Sequence, residues 1–532
     1  MKKLLLASLF VTAYSGLFAG GIVTNTNQST SWARNPSTGA STGIEAVYYN
    51  PAGIIKLDDG WHFSLNNQYI SQSREIINSY PNLIYNDISN VSGYKGSVVA
   101  PLFPSVYAAY KKEKLAISMA FNPIGGGGSA EFKKGIPSLD VPVSDLVPAL
   151  TKFGVSKYQM NAYFKGSAIN YGLQFGATYE INKNISLFAG ARYVMVKNTY
   201  EGYLKGVNVN YKGRSSWTSA SSVLKDSIPY EINKNAIGLQ NAINLGIIQA
   251  SDPASANVVT GLAGLGIIAT GFTNSNAIAA FQSAANTVAN QNAIKAKLLA
   301  DQSADVVQTG SGFCPILGLN LSLDKLNVGI KYEFVTKIKI KNETSKDFMT
   351  GFAANGDSIT MFPNGAEIDA DMPAMLSVGA SYQVTEKMKA MAGGFMYFDK
   401  SANYGKKLNN VYVSNDKLID NNFYEISAGL EYKVIDKLLL SAGCLYGKTG
   451  VKPEYNSDLS YSNSSTTIGL GGKYSINDKI DIDLGVAYAL YQDNSKDMSY
   501  IVSGVPAPIA AKETYSKNTL IVGLGVNIKL AK

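Results

Sequence analysis

Histidine is almost absent from this sequence: the single one is His62, beside Trp61. His62 has no evident serine or aspartate partner, so the sequence does not indicate a His-based catalytic triad. No metal-ligand cluster, phosphate-binding loop or nucleotide motif is visible either. We therefore expect no catalytic residues, no metal and no cofactor. A membrane-embedded hydrolase is disfavoured, and the protein is predicted not to be an enzyme.

Cysteine is also scarce, since the chain has only Cys314 and Cys444. The two thiols could pair in an oxidising periplasm, although lone small residues in strands are more often unpaired. The sequence leaves this question open.

Long apolar and basic runs are missing as well. No stretch beyond the N-terminus offers the ~18 uninterrupted apolar residues of a membrane-spanning helix. The net charge of +8 does not come from a continuous basic segment, because the lysines are scattered along the chain and are most frequent at turns. We therefore expect no nucleic-acid partner.

The N-terminus carries a targeting pattern. Lys2 and Lys3 precede a short apolar run that ends with a small residue, Ala19. A positive start, an apolar stretch and a small-residue cleavage site indicate a secretory signal peptide. We assign residues 1–19 to it.

What the chain has in abundance is a recurring hairpin pattern. In the sequence "LNLSLDKLNVGIKYEFV", two runs of alternating apolar and polar residues flank a tight, charged turn. Period-two alternation places one set of side chains on each face of a strand. A series of such hairpins is typical of a transmembrane antiparallel β-barrel, which hides its hydrophobicity in alternation. The 33 Tyr and 20 Phe are sufficient to form the aromatic girdles that such barrels carry at both membrane interfaces.

Six short polar turns set the strand count. They begin at Lys111, Asn182, Leu323, Thr385, Ile435 and Asn477. With one strand before them, from Trp61, and one after, from Thr519, they predict about fourteen strands over residues 61–532 with both termini in the periplasm. The last strand is expected to face lipid with Leu520, Val522, Leu524, Val526 and Ile528, and the lumen with Asn527 and Lys529.

The longest connection covers residues 208–312 and is rich in Ala and Asn, with helix-like stretches. We expect a partly helical extracellular loop. Loops this long are usually functional or disordered, so it either gathers ligand or is a surface ornament.

Barrel size implies a plug. Eight strands are filled by side chains, whereas sixteen to eighteen leave a water channel, so fourteen would leak unless something filled the bore. Residues 20–60 lack long alternation and are long enough to fold inside. We predict that they form an N-terminal hatch.

Motifs within this segment carry a family resemblance. The start Gly20-Gly21-Ile22, the run "RNPSTGAS" at residues 34–41 and the run "AVYYNPAG" at residues 46–53 resemble the FadL/TodX outer-membrane family. Further matches lie at residues 329–344 and 369–384. The resemblance spans essentially the whole mature chain. It implies a monomeric, passive outer-membrane transporter of long-chain fatty acids or other hydrophobic compounds.

The family also implies particular sites and partners. Its hatch motif falls on Asn50, Pro51, Ala52 and Gly53. Its mechanism releases ligand sideways into outer-membrane lipid through a gap beside a kinked third strand. The kink candidates are Asn122, Pro123, Gly125, Gly126, Gly127 and Gly128. Alternatively, that strand ends at Asn122 and the glycines form a loop.

Two points stay open at this stage. Because side chains alternate between the two faces of a strand, Arg192 and Lys331 are expected to point into the lumen, where they could bind a ligand carboxylate. The favoured alternative pairs Arg192 with a lumen glutamate or with hatch carbonyls. In addition, family barrels end on an aromatic residue that the barrel assembly machinery reads, whereas this chain ends Leu530-Ala531-Lys532.

The competing functions are a porin-like channel for polar solutes and a structural or adhesive surface barrel.

Overall fold

The computed structural model describes residues 22–86, 92–213, 217–353, 356–408, 411–501 and 507–531. The expected signal peptide lies outside these residues. Within the described ranges, no helix is both long and apolar enough to cross a membrane.

The chain forms a closed antiparallel barrel of 14 strands, which confirms the predicted fold class. Each strand pairs with the next along the chain, and the first and last strands close the barrel from Gly60 opposite Ala531 to Asn78 opposite Glu513. The strands are β1 (Gly60–Asn78), β2 (Ser92–Lys112), β3 (Leu115–Phe132), β4 (Val155–Asn182), β5 (Ile185–Tyr211), β6 (Gln302–Leu323), β7 (Leu326–Glu333, continued by Lys339–Lys346), β8 (Glu367–Asp369, continued by Met375–Gln383), β9 (Met388–Tyr397), β10 (Phe423–Ile435), β11 (Leu438–Lys448), β12 (Ser465–Asn477), β13 (Ile480–Tyr491, continued by Asn494–Tyr500) and β14 (Ile509–Ala531).

All six predicted turns join neighbouring strands. The β2–β3 and β6–β7 turns are tight, and Glu113 and Asp324 adopt positive φ angles of 52° and 42° within them. Tight two-residue hairpin turns need such left-handed positions. The polar turns therefore set the hairpin register.

The facing of β14 agrees with the predicted register. Leu520, Val522, Leu524 and Ile528 are exposed on the outer face. Asn527 points into the lumen, where its Nδ2 donates to Asp483 Oδ2 at 2.6 Å. One face of the strand therefore meets lipid and the other meets the plug.

The long extracellular connection is shorter than predicted, because the strands on both sides extend further. The chain leaves β5 at Tyr211 and returns at Gln302, where Leu204 pairs with Gln302. In these extensions the outer face carries exposed polar residues such as Glu201 and Asp305, while Leu204 and Val306 are buried on the inner face, so the lipid-facing apolar pattern is missing. The connection itself holds α-helices Ala220–Ser222, Ile228–Asn244, Ala256–Ala263 and Asn274–Leu298 and a π-helix, Val223–Ser227.

The other helices are short. Two α-helices, α1 (Thr30–Arg34) and α2 (Ala46–Tyr49), and a 3₁₀-helix, Pro51–Lys56, precede the barrel; Pro137–Ser144 and Leu146–Leu150 are α-helices between β3 and β4. The remaining elements are α-helix Asn415–Leu418, 3₁₀-helices Pro81–Asn86, Thr151–Phe153, Asp399–Ser401 and Pro453–Tyr455, and small strands Thr218–Ser219, Met349–Phe352, Ser358–Thr360, Lys407–Leu408 and Val411–Tyr412.

Candidate functional site

Residues 22–59, here called the N-terminal segment, lie inside the barrel. Trp32 and Tyr49 within it are fully buried. The segment approaches the wall at backbone distance: a Cβ on Gly379 of β8 would collide with the backbone of Gly39. Only glycine permits such an approach. The lumen is therefore occupied by the chain's own N-terminal residues.

A buried ion-pair cluster holds α1 against the part of the barrel wall formed by β10, β11 and β13. Arg34 Nη1 lies 2.8 Å from Glu431 Oε1, and Arg34 Nε lies 3.1 Å from Asp483 Oδ1. Arg34 also donates to Ser441 Oγ at 2.9 Å, and Lys389 reaches the second oxygen of Glu431 at 2.5 Å. Burial lowers the pKa of Arg34, but the two carboxylates more than offset this effect and keep it above its ordinary value. Arg34 therefore stays charged and links the segment to β10, β11 and β13.

The hatch motif contacts three neighbouring strands. Asn50 Nδ2 donates to Asn320 Oδ1 of β6 at 2.7 Å. The carbonyl of Pro51 accepts from Thr178 Oγ1 of β4 at 2.7 Å, and that of Ala52 accepts from Ser186 Oγ of β5 at 2.8 Å. The motif thus fixes the end of the N-terminal segment to the wall.

The β2–β3 ladder is interrupted. Val106 pairs with Phe121, and Val98 pairs with Ala130, but the register breaks between these points. The third strand nevertheless runs to Phe132, so the alternative in which it ends at Asn122 is wrong. All residues from Asn122 to Gly128 are buried, whereas the preceding ones alternate between exposed and buried.

Glycine and proline account for the shape of this stretch. Pairing with β4 shifts on both sides of Gly125 and Gly126, and Gly126 and Gly127 have φ angles of 64° and 112°. Such angles favour glycine, and a Cβ on Gly126 would lie 2.0 Å from the carbonyl oxygen of Ala168. On the other rim, β2 carries Pro101 and Pro104 within the unpaired stretch. Proline has no N–H to leave unpaired, so this interruption leaves fewer orphaned donors.

The N-terminal segment closes the interruption from inside. Asn25 donates from its backbone N to Ile124 O at 2.8 Å and from Nδ2 to Gly126 O at 2.6 Å. Gln28 donates from Nε2 to Pro123 O at 3.0 Å. These side chains satisfy carbonyls that a neighbouring strand would otherwise pair.

The opposite rim is bound by the same residue. Gln28 O accepts from Ser105 Oγ and from Tyr107 OH of β2, both at 2.5 Å. Sequence reasoning found the glycine run but missed Asn25, Gln28 and the two β2 prolines. The prolines were readable as a signal, since proline is rare inside strands.

The predicted lumen cations share one glutamate. Arg192 forms a two-point ion pair with Glu333, at 2.6 Å through Nη1 and 2.9 Å through Nη2. Lys331 Nζ lies 2.7 Å from Glu333 and donates to Tyr48 O of α2 at 2.8 Å. Both cations also lie over the Tyr48 ring, at 5.0 and 4.4 Å from its centroid. Arg192 thus has the lumen glutamate as its partner, as the favoured alternative predicted.

The space beside this cluster is small. A cavity of about 20 Å³ is bounded by Tyr48, Ile124, Arg192, Met375 and Tyr397 among others. A volume of roughly 10–15 Å³ accommodates one water molecule. No hydrocarbon fits into this cavity. On the periplasmic side, a polar cavity of about 350 Å³ lies below Arg34.

The last two questions raised by the sequence concern the cysteines and a possible metal site. Cys314 is buried and Cys444 is exposed, and both are free thiols. Nowhere in the described ranges do three or more His, Cys, Asp or Glu residues come together as a metal site.

A closed barrel whose lumen is filled by its own N-terminal segment is the architecture of an outer-membrane β-barrel protein. A family model described as outer membrane protein transport protein (OMPP1/FadL/TodX) matches residues 167–529, and the chain belongs to this family. No curated protein sequence matches the chain.

A solved structure gives the same fold. The chain is similar to a Pseudomonas aeruginosa FadL homologue, with 13% identity over 96% of this chain and 100% of that one and a TM-score of 0.56. It is also similar to the P. putida toluene transporter TodX, with 14% identity over 92% and 95% of the two chains and a TM-score of 0.49. At this identity the first likeness shows the fold alone.

Proposed function

We propose that this protein is a passive channel for the uptake of long-chain fatty acids or other hydrophobic compounds, which it releases sideways into the outer membrane between β2 and β3. The observation that carries the proposal is the interrupted ladder, closed from the lumen by Asn25 and Gln28.

The energetics favour a sideways exit. Each apolar CH₂ re-exposed to water costs roughly 0.8 kcal/mol, so a twelve-carbon tail entering the periplasm would cost on the order of 10 kcal/mol. Unpaired backbone at membrane depth is tolerated only where it lines a cavity or is buried in protein. The inward turn of residues 122–128 meets that condition.

Transport requires movement of the N-terminal segment, because the cavity beside Ile124 holds no more than a water-sized molecule. The contacts of Asn25 and Gln28 with the rims are hydrogen bonds rather than packed apolar surface. Each contributes about 0.5–1.5 kcal/mol net, so a few can exchange within a transport cycle.

The long extracellular connection supports capture of hydrophobic ligand. It exposes Leu245, Ile247 and Ile268, at 75%, 70% and 87% of their surface. Contiguous exposed apolar groups mark binding surfaces, and Leu245 and Ile247 lie two residues apart. We propose that this connection gathers ligand outside the cell.

The role of Arg192 and Lys331 toward a ligand carboxylate remains a proposal. A carboxylate there would have to compete with Glu333, which already binds both cations. A ligand carboxylate is therefore expected at this point only if it displaces Glu333 from the two cations.

The competing functions fit less well. A porin-like channel needs an open, charge-lined bore, whereas the N-terminal segment fills this lumen. We propose a monomeric channel without enzymatic activity that is inserted by the barrel assembly machinery.

The decisive experiment links Gln28 of the N-terminal segment to Asn122 of β3 by a reversible chemical bridge and so holds the gap closed. Gln28→Cys and Asn122→Cys, in a background with Cys314→Ser and Cys444→Ser, place two thiols where the native side chains are hydrogen-bonded at 2.6 Å. A short, reducible bifunctional thiol reagent should abolish uptake of radiolabelled laurate and of toluene by proteoliposomes, and reduction should restore it.

The matched control bridges the hatch motif instead. Asn50→Cys and Asn320→Cys join side chains that are hydrogen-bonded at 2.7 Å away from the gap. This bridge should leave uptake largely intact, because only the first residues of the segment need to move. Undiminished uptake with the gap bridge in place would refute the sideways route.

A further inference from the structure

The connection between β11 and β12 turns inward instead of running over the surface. The two strands separate after the pair Gly447–Ser465, at the end of the barrel opposite the short turns. Of residues 455–464, here called the inward loop, all but Ser457 are buried. Connections usually stay on the surface because buried polar groups need partners, and seven of these ten residues are polar. The burial of this loop therefore requires an explanation.

The inward loop has internal structure of its own. The backbones of Ser457 and Ser460 exchange hydrogen bonds at 3.0 and 3.1 Å, so the tip is a tight turn. At the base of this turn, Asn456 Oδ1 accepts from the backbone N of Ser462 at 3.0 Å. These bonds hold the loop together, so it can move as one unit.

Polar side chains fasten the loop on two sides. Asp458 Oδ2 accepts from the backbone N of Ser138, in the connection between β3 and β4, at 2.7 Å. Asn463 Nδ2 donates to the carbonyls of Gln492 and Tyr515, both at 2.8 Å. The tip of the loop is thus joined to another extracellular connection, and its base to the neighbouring strands.

Tyr461 packs against the seam that closes the barrel. Its ring stacks on Tyr515 of β14, with centroids 4.9 Å apart, and its OH donates to Ser516 O at 3.2 Å. The cationic groups of Arg74 of β1 and Lys517 of β14, both buried on the inner face, lie 5.4 and 5.7 Å from the Tyr461 centroid. The loop therefore reaches inside the bore as far as β1.

The start of the inward loop packs with the N-terminal segment. Tyr455 is buried in the same apolar cluster as Ile22 and Val23, the first described residues of that segment. Asn25 and Gln28, which close the interruption between β2 and β3, follow them directly in the chain. Movement of the loop would therefore remove part of the packing that precedes these two residues.

The buried position of the loop is incompletely satisfied. Within the described part of the chain, Asn456 Nδ2 and Asn463 Oδ1 have no hydrogen-bond partner. Such atoms cost free energy that hydration would recover if the loop turned outward. The apolar members that favour burial are three: Tyr455, Leu459 and Tyr461. A small number of contacts thus holds the loop inside.

We propose that the inward loop is an extracellular lid. In its inward position it blocks the path from outside to the N-terminal segment. It swings outward to admit a hydrophobic ligand, and this movement loosens residues 22–28 beside the gap. The inference rests on the proposed function and adds control of ligand entry to it.

The test locks the lid reversibly. Ser138→Cys and Asp458→Cys, in the background with Cys314→Ser and Cys444→Ser, are joined by a short, reducible bifunctional thiol reagent. The bridge should lower uptake of radiolabelled laurate by proteoliposomes at least tenfold, and reduction should restore it.

The matched control places a bridge outside the bore. Asp305→Cys and Ser345→Cys replace two exposed residues of β6 and β7 whose side chains are hydrogen-bonded at 2.8 Å. This bridge should leave uptake unchanged. Heat-modifiable migration on a gel checks that each barrel is folded.

Opening the lid gives an independent measurement. Tyr461→Ala removes the stack on Tyr515 and the bond to Ser516 O. Amide hydrogen exchange should become at least tenfold faster in residues 455–464 and also faster in residues 22–28. Tyr488→Ala, on the exposed outer face of β13, should change neither region.

The outcomes separate the two proposals. If the lid bridge leaves uptake undiminished while the bridge between positions 28 and 122 abolishes it, the lid is wrong and the transporter proposal stands. Faster exchange confined to residues 455–464 would overturn the link to the N-terminal segment. If the unsubstituted protein takes up no laurate, the proposed function fails, and the lid fails with it.

Discussion

Asn122 Nδ2 donates to Gln28 Oε1 at 2.6 Å, so a side-chain pair stands at the point where the barrel wall lacks its backbone ladder. Together with the bond from Gln28 Nε2 to Pro123 O, this contact joins the β3 side of the wall to Gln28 through two buried hydrogen bonds. Because both partners are uncharged, the contact can break without exposing an ion to an apolar environment. A gate of this kind can open at moderate cost.

Gln28→Leu should loosen the gate. The substitution leaves Asn122 without an acceptor and removes the donor to Pro123 O, and each buried group left unsatisfied costs about 1–3 kcal/mol. We expect faster amide hydrogen exchange in residues 23–28 and a higher rate of laurate uptake.

The control for this prediction is Gln68→Leu. Gln68 Nε2 donates to Asn27 O at 2.7 Å, so it contacts the same part of the N-terminal segment from β1, away from the gap. It should raise exchange without raising uptake. Equal uptake in the two variants would argue against a gate located at β3.

The sequence predicted the facing of the strands well because alternation is a local property. Leu524 and Asn527 lie on the predicted faces, since their neighbours repeat the same period of two. The start of β14 at Ile509, ten residues before the predicted Thr519, escaped notice because strands above the membrane carry polar residues on both faces.

Contacts between distant parts of the chain could not be read in this way. The alternation of side chains placed Arg192 and Lys331 in the lumen, yet their pairing with Glu333 depends on the stagger between strands, which no single strand encodes. Likewise, Arg34 meets Glu431 and Asp483 only because α1 folds back into a closed barrel.

Arg34→Met should release α1 from the wall. The change leaves Glu431 and Asp483 buried without their shared cation, although Lys389 still reaches Glu431. Removing one member of a buried charge cluster costs about 3–5 kcal/mol. We expect increased ion conductance in planar bilayers.

Neutralising the acids provides the counter-test for Arg34. Adding Glu431→Gln and Asp483→Asn to Arg34→Met removes the unpaired charges and should lower the conductance again. A triple variant that leaks as much as the single one would show that Arg34 acts through packing and not through its charge.

The extracellular loop between β9 and β10 should loosen as pH rises. Burial raises the pKa of Asp399 from 3.8 to about 7, although Tyr404 and the backbone N–H of Phe423 donate to the carboxylate. The folded state then holds the proton more tightly than the unfolded state. This contribution to stability is fully present below pH 3.8 and is lost as pH rises through about 7.

Hydrogen exchange across this loop at pH 5 and pH 8, corrected for the intrinsic pH dependence of exchange, tests the Asp399 prediction. Protection should be lower at pH 8. Asp399→Asn keeps the shape without the charge and should give the same corrected protection at both values. A loop equally protected at both pH values in the unsubstituted protein would contradict the assigned role.

Replacing residues 125–128 with alternating Val and Thr should close the sideways route. A Cβ at position 125 would collide with the carbonyl of Val23, and the left-handed angles of Gly126 and Gly127 are unfavourable for β-branched residues. The run should therefore straighten, move away from the N-terminal segment and re-form pairs with β2. Pro101 and Pro104 limit the new ladder, but the stretch contains enough other donors to close the gap. We expect a barrel that folds and inserts yet no longer takes up laurate. A folded variant with normal uptake would mean that hydrophobic ligands leave by another path.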